Sequence, residues 1–122
     1  MKKFLLMVLN LSELQYEFFL RAHKDDLDLP YDFLVLDKQF VLDEDKSVEY
    51  NIEHFKRTLF ITFSLYREEL SGIIYRLLNS FCDYFPYNVK KCFGSIYTFK
   101  SLLDENVIRF CGKEKLNNFR GD

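Results

Sequence analysis

The residues through which this chain could do chemistry are mostly carboxylates, and they are concentrated in one stretch. Residues 25–45 read DDLDLPYDFLVLDKQFVLDED. Asp25, Asp26, Asp28, Asp32, Asp37, Asp43, Glu44 and Asp45 gather there against a single base, Lys38. Such density could ligate a divalent cation, serve acid–base chemistry, or face a basic partner. A calcium loop of the EF-hand type needs glycine at its sixth position and a bidentate Glu at its twelfth. Begun at Asp26, it meets Pro30, then Tyr31 in the glycine place, and Asp37 last. Begun at Asp43, it meets Val48 and His54 in those two places. Neither register fits, and no calcium loop is expected.

A second metal chemistry is suggested by Pro30-Tyr31-Asp32 followed by Glu44-Asp45-Lys46, with the strand-like Phe40-Val41-Leu42 just before the second element. This arrangement resembles the PD-(D/E)xK nucleases. The resemblance implies a divalent ion held by Asp32 and Glu44, with Lys46 steadying the nucleophile. Tyr31 is inserted between the Pro and the Asp, and the stretch lacks the bases that would meet phosphates. The zinc ligand types are Cys82, Cys92, Cys111, His23 and His54, at spacings that preorganise no site. His54 follows Glu53, but no Ser or Cys stands in a glycine-rich elbow, and no phosphate-cradling loop exists. The terminal Arg120-Gly121-Asp122 is read as a chance tripeptide. No cofactor is expected.

Charge is distributed unevenly around a net of −2. Residues 13–53 carry twelve acids against four bases, and residues 54–122 carry seven acids against eleven bases. An acidic block repels nucleic acid and speeds encounter with a cationic protein surface. Lys90-Lys91 and Lys56-Arg57 are too few to form a nucleic-acid footprint. Aromatics are abundant, with 14 Phe and 8 Tyr, and Tyr31, Phe33 and Phe40 lie among the acids.

The elements that must position these groups follow from periodicity. A chain of 122 residues is expected to form one domain over residues 1–112, with 113–122 a polar, frayed tail. MKKFLLMVL is expected to be a buried strand over Lys3–Leu9 rather than a secretory signal, since Asn10 interrupts it and no cleavage site follows. Ser12 with Gln15 forms a capping box, and Leu11 with Tyr16 a hydrophobic staple, predicting a helix from Glu13 to about His23. Phe33–Leu36 and Gln39–Leu42 read as strands around an Asp37-Lys38 turn. Alternation predicts strands at Val48–Ile52 and Thr58–Leu65. Leu70, Ile73, Ile74, Leu77, Leu78 and Phe81 predict an amphipathic helix ended by Asp83 and Pro86. Val89–Phe93 reads as a strand, Ser95 as the cap of a helix carrying Ile96, Phe99, Leu102 and Leu103, and Val107–Cys111 as a last strand.

The expected fold is therefore α+β: a mixed, mainly antiparallel sheet of about five strands with two to three helices packed on it, ferredoxin-like βαββαβ with extensions. The expected function is non-enzymatic: a small cytoplasmic inhibitor that neutralises a basic partner. Asp25, Asp26, Asp28, Tyr31, Asp32, Asp43, Glu44 and Asp45 would form its contact surface. The concrete form is an immunity protein against a bacterial nuclease-type toxin. Three widely spaced cysteines fit a reducing compartment. The alternatives are the metal nuclease, a phage inhibitor of host defence, or a regulatory or assembly subunit.

Overall fold

The computed structural model describes residues 3–5, 8–9, 32–35 and 41–121. Four short strands come first: β1 (Lys3–Leu5), β2 (Val8–Leu9), β3 (Asp32–Val35) and β4 (Val41–Leu42). From Val48 onward the chain is helical almost throughout: α1 (Val48–Tyr84), α2 (Pro86–Phe93), α3 (Ile96–Cys111) and α4 (Lys113–Arg120). This overturns the α+β expectation of a five-stranded, mainly antiparallel sheet. Among the described residues the strands form two parallel pairs, β1 with β3 and β2 with β4. β3 and β4 are therefore not partners in an antiparallel hairpin. The helix expected over Glu13–His23 and the Asp37-Lys38 turn lie outside the described residues.

The strands expected at Val48–Ile52 and Thr58–Leu65 are helix, and the reason is the length of the window over which a period is read. Residues i and i+4 share a face in a strand and in a helix alike, so Leu59 and Phe63 fit either. Across the whole segment only the helical period holds. Asn51, Phe55, Leu59 and Phe63 are buried at successive steps of four, while Ile61 and Leu65, which a strand would bury with them, face solvent. Ser47 caps the helix, its hydroxyl accepting from the Tyr50 amide at 3.1 Å. The same period corrects Val89–Phe93, whose buried residues Val89, Cys92 and Phe93 stand at helical spacing in α2. It also corrects Val107–Cys111, which continues α3 from its cap at Ser95. The helix predicted around Leu70–Phe81 is present as the second part of α1, and Pro86 opens α2.

α1 is not straight. Arg67, at φ 45° and ψ −121°, interrupts the helical backbone and separates an arm of residues 48–66 from one of residues 68–84. The contacts of α3 fix the direction of each arm. Phe99 stacks on Phe55 and Phe110 meets Phe60 edge-on, so α3 runs parallel to the first arm. Asp104 bonds Tyr75 and Lys100 pairs with Asp83, so α3 runs antiparallel to the second. The two arms thus fold back on each other with α3 laid against both. A single core results, holding Phe55, Leu59 and Phe63 from the first arm and Ile74, Leu77, Leu78 and Phe81 from the second. Phe93 closes on both Phe55 and Phe99 with ring centroids 5.1 and 5.2 Å away.

One polar side chain is built into this core. Asn51 is fully buried, and its amide donates to the Asp43 carbonyl at 3.0 Å and the Cys92 carbonyl at 3.2 Å. It ties the turn after β4 to the end of α2. Of residues 113–122, expected to fray, Lys113–Arg120 form α4 after a turn at Gly112 (φ 96°), and Leu116 is buried there. α4 docks through Phe119 on Gly72, where an added Cβ would lie 2.9 Å from the Phe119 ring.

Replacing Gly72 tests that docking. Gly→Ala within a helix ordinarily stabilises by roughly 1 kcal/mol through propensity. At Gly72 the methyl must displace Phe119, and overpacking of this kind costs about 1–3 kcal/mol. Gly72→Ala is therefore expected to lower the urea midpoint, and Phe119→Leu in the same chain to recover part of the loss.

Candidate functional site

The expected contact surface divides between described and undescribed residues. Asp25, Asp26, Asp28 and Tyr31 lie outside the described residues, and Asp32 is described only as the opening of β3, paired in register with Lys3. Asp43, Glu44 and Asp45 occupy the turn between β4 and α1. The Asp43 carboxylate accepts from the Asp45 amide at 2.8 Å, holding the turn. Glu44 accepts from the Asn88 amide at 2.7 Å and lies 3.9 Å from Lys91, pinning the turn to α2. Two of these three carboxylates are thus engaged inside the fold, and Asp45 is exposed. Lys46 points along the surface, with its ammonium 5.8 Å from the Tyr50 ring centre. Among the described residues, no three His, Cys, Asp or Glu side chains are placed to hold a metal ion.

The arrangement that stands out is a groove of about 470 Å³ between the first arm of α1 and α3. The first arm contributes Glu53, Lys56, Arg57, Phe60 and Ile61, spaced i, i+3, i+4, i+7 and i+8 along one helical face. α3 contributes Leu102, Glu105, Asn106 and Arg109 at the same kind of spacing. Leu102 is buried at the floor, while Phe60 and Ile61 remain 43% and 48% exposed on the wall. The Asn106 amide donates to the Leu102 carbonyl at 2.8 Å and so belongs to its own helix. Lys56 and Glu53 pair at 3.4 Å on the rim. The Arg109 guanidinium sits 5.0 Å from the Phe60 ring centre and 5.7 Å from that of Phe110, a cation–π arrangement that holds it over the groove. One turn beyond Ile61, Leu65 extends the apolar strip and is 71% exposed.

The groove was hidden in the sequence because 58–65 reads as an alternating strand. The signal that finds it is the stripe Glu53, Lys56-Arg57, Phe60-Ile61, which is legible only once the segment is taken as helix.

A second polar assembly lies on the other side of α3. Tyr75 donates to Asp104 at 2.9 Å and accepts from the Arg120 Nε at 3.2 Å, and Arg120 also pairs with Asp104. Burial raises the Tyr75 hydroxyl above its usual value, with Arg120 opposing that shift and Asp104 adding to it. The network joins α4, α3 and the second arm, and its geometry is that of a structural clasp.

Cys82 and Cys92 are buried, Cys111 is half-buried, and no disulfide joins them. They lie on different helices, and burial pushes Cys82 and Cys92 each up to about 12. Such thiols are poor nucleophiles and pack as small apolar groups. No helix among the described residues is long and apolar enough to cross a membrane. Comparison of the chain with protein families, curated proteins and solved structures finds no match.

The thiols give an alkaline signature. In the unfolded chain they ionise above about pH 8.5, whereas Cys82 and Cys92 keep their protons to about 12 in the folded protein. Above the lower value the unfolded state binds fewer protons, so stability falls as pH rises. Urea midpoints are expected to hold steady up to about pH 8.5 and to drop from there towards pH 12. The Cys82→Ala/Cys92→Ala double variant is expected to show a shallower decline.

Proposed function

We propose that this chain is a protein-interaction module that acts by occupying a partner rather than by transforming a substrate, and that the groove between the first arm of α1 and α3 is its contact face. The observation that carries the reading is the solvent-open strip Phe60-Ile61-Leu65 beside Arg109, flanked by charges of both signs. Aromatic and Arg side chains are favoured at the centres of protein interfaces, with polar groups at the rim. Glu53 and Glu105 on the walls oppose the approach of a phosphate backbone, which favours a protein partner over nucleic acid. Two parallel helical stripes enclosing an apolar floor suit an amphipathic helix. The partner helix would place apolar residues on Ile61 and Leu102 and carboxylates towards Arg57 and Arg109.

The expected basic partner, a toxin or nuclease domain, would have to draw on Asp45 and the acids before β3. Asp43 and Glu44 already serve the turn, so the groove rather than the 43–45 segment carries this proposal.

The test compares capture from the native host's lysate by the wild-type chain, by Ile61→Asp and by Tyr97→Asp. Tyr97 is 80% exposed and outside the groove, so its variant controls for loss of a surface aromatic. A protein retained by wild type and Tyr97→Asp but depleted at least tenfold by Ile61→Asp supports the groove. Equal capture by all three, or capture abolished by nuclease treatment of the lysate, overturns it.

A further inference from the structure

Among the described residues, Arg67 is the one non-glycine position with positive φ. Its φ of 45° and ψ of −121° correspond to the first central position of a type II′ turn, where glycine is the usual occupant. An L side chain held there is strained, and nothing in the arms on either side requires a bend. Both are regular helix right up to the corner, with no Pro or Gly within it. The corner breaks the run of helical angles between the two arms.

From this we infer that the chain can open at Arg67 and exchange its N-terminal segment with a second copy of itself. In the opened form, residues 48–84 become one helix of about 55 Å. Arg67 relaxes to ordinary helical angles, and the helical run continues through the corner. The apolar faces of Phe55, Leu59 and Phe63, which the fold-back buries against α3 and the second arm, then pack on the same elements of the second copy. Short strained hinges favour such exchange, and its product is a closed two-fold dimer that re-forms every core contact of the monomer. The second arm leads directly into α2 and α3, so the exchanged part is the side of the chain before Arg67. Each groove in the dimer is then built from the first arm of one copy and α3 of the other, which leaves its lining intact. Leu65, two residues before the hinge and largely exposed, lies where the two opened helices cross.

Two variants separate this from ordinary self-association. Arg67→Gly removes the strain while keeping the corner, and a Gly-Gly insertion after Arg67 lengthens the corner so that the fold-back needs no strained residue. Each protein is unfolded in urea, refolded at low and at high concentration, and sized by chromatography with light scattering. Wild type is expected to yield a dimer on concentrated refolding that persists for hours after dilution, since separation requires the core to open. Arg67→Gly is expected to weaken dimerisation roughly tenfold or more, and the insertion variant to remain monomeric. A wild type that refolds only to monomer, a dimer that separates at once on dilution, or an Arg67→Gly protein that dimerises as readily as wild type would each overturn the inference.

Discussion

A helix of 37 residues spans about 55 Å, and its two ends cannot share a core unless it turns back. That constraint governs everything after β4. Phe55 and Phe81 lie in one apolar cluster although a straight helix would hold them roughly 39 Å apart. The corner at Arg67 brings the arms together, and α3 then finds a partner on each of its sides. The groove exists because the first arm and α3 run parallel, and the clasp of Tyr75, Asp104 and Arg120 exists because the second arm runs against α3.

The polar groups divide by where they fall relative to that core. Asn51 is buried and earns its place by satisfying two backbone carbonyls from separate segments, which fixes how the turn after β4 meets α2. Asp43 and Glu44 have lost their freedom to a turn and to Asn88, so these two carboxylates are tied into the fold. Arg109 is different. Its guanidinium lies over Phe60 and Phe110 at the groove, where charge and apolar area are presented together. That combination, more than net charge, is what a partner could recognise.

Several features were legible in the residues. The Ser95 cap with its helix and the stripe running to Phe81 both appear where expected. These signals depend on neighbours within one or two turns. The segment 48–65 misleads for the same reason: over five to eight residues, a period of two and a period of 3.6 can select the same apolar positions. Phe55, whose ring stacks on Phe99 at 4.7 Å, breaks the tie, but its weight is visible only when Asn51 through Phe63 are taken as one run. The last ten residues look polar in isolation because the surface that Leu116 and Phe119 cover belongs to other helices.

Local chemistry along the chain is enough to set the Ser95 cap, the apolar stripe of the second arm and the uneven placement of charge, because each depends on nearby backbone or on composition. Tertiary structure alone decided the fold-back at Arg67, the groove beside Phe60 and the engagement of Glu44 by Asn88. Each of those joins groups far apart along the chain, and no local pattern encodes a contact whose other half lies 40 residues away. Arg67 shows the division most plainly. Nothing in its neighbourhood forbids a continuous helix, and only the burial gained by packing both arms on one core outweighs the strain of the turn.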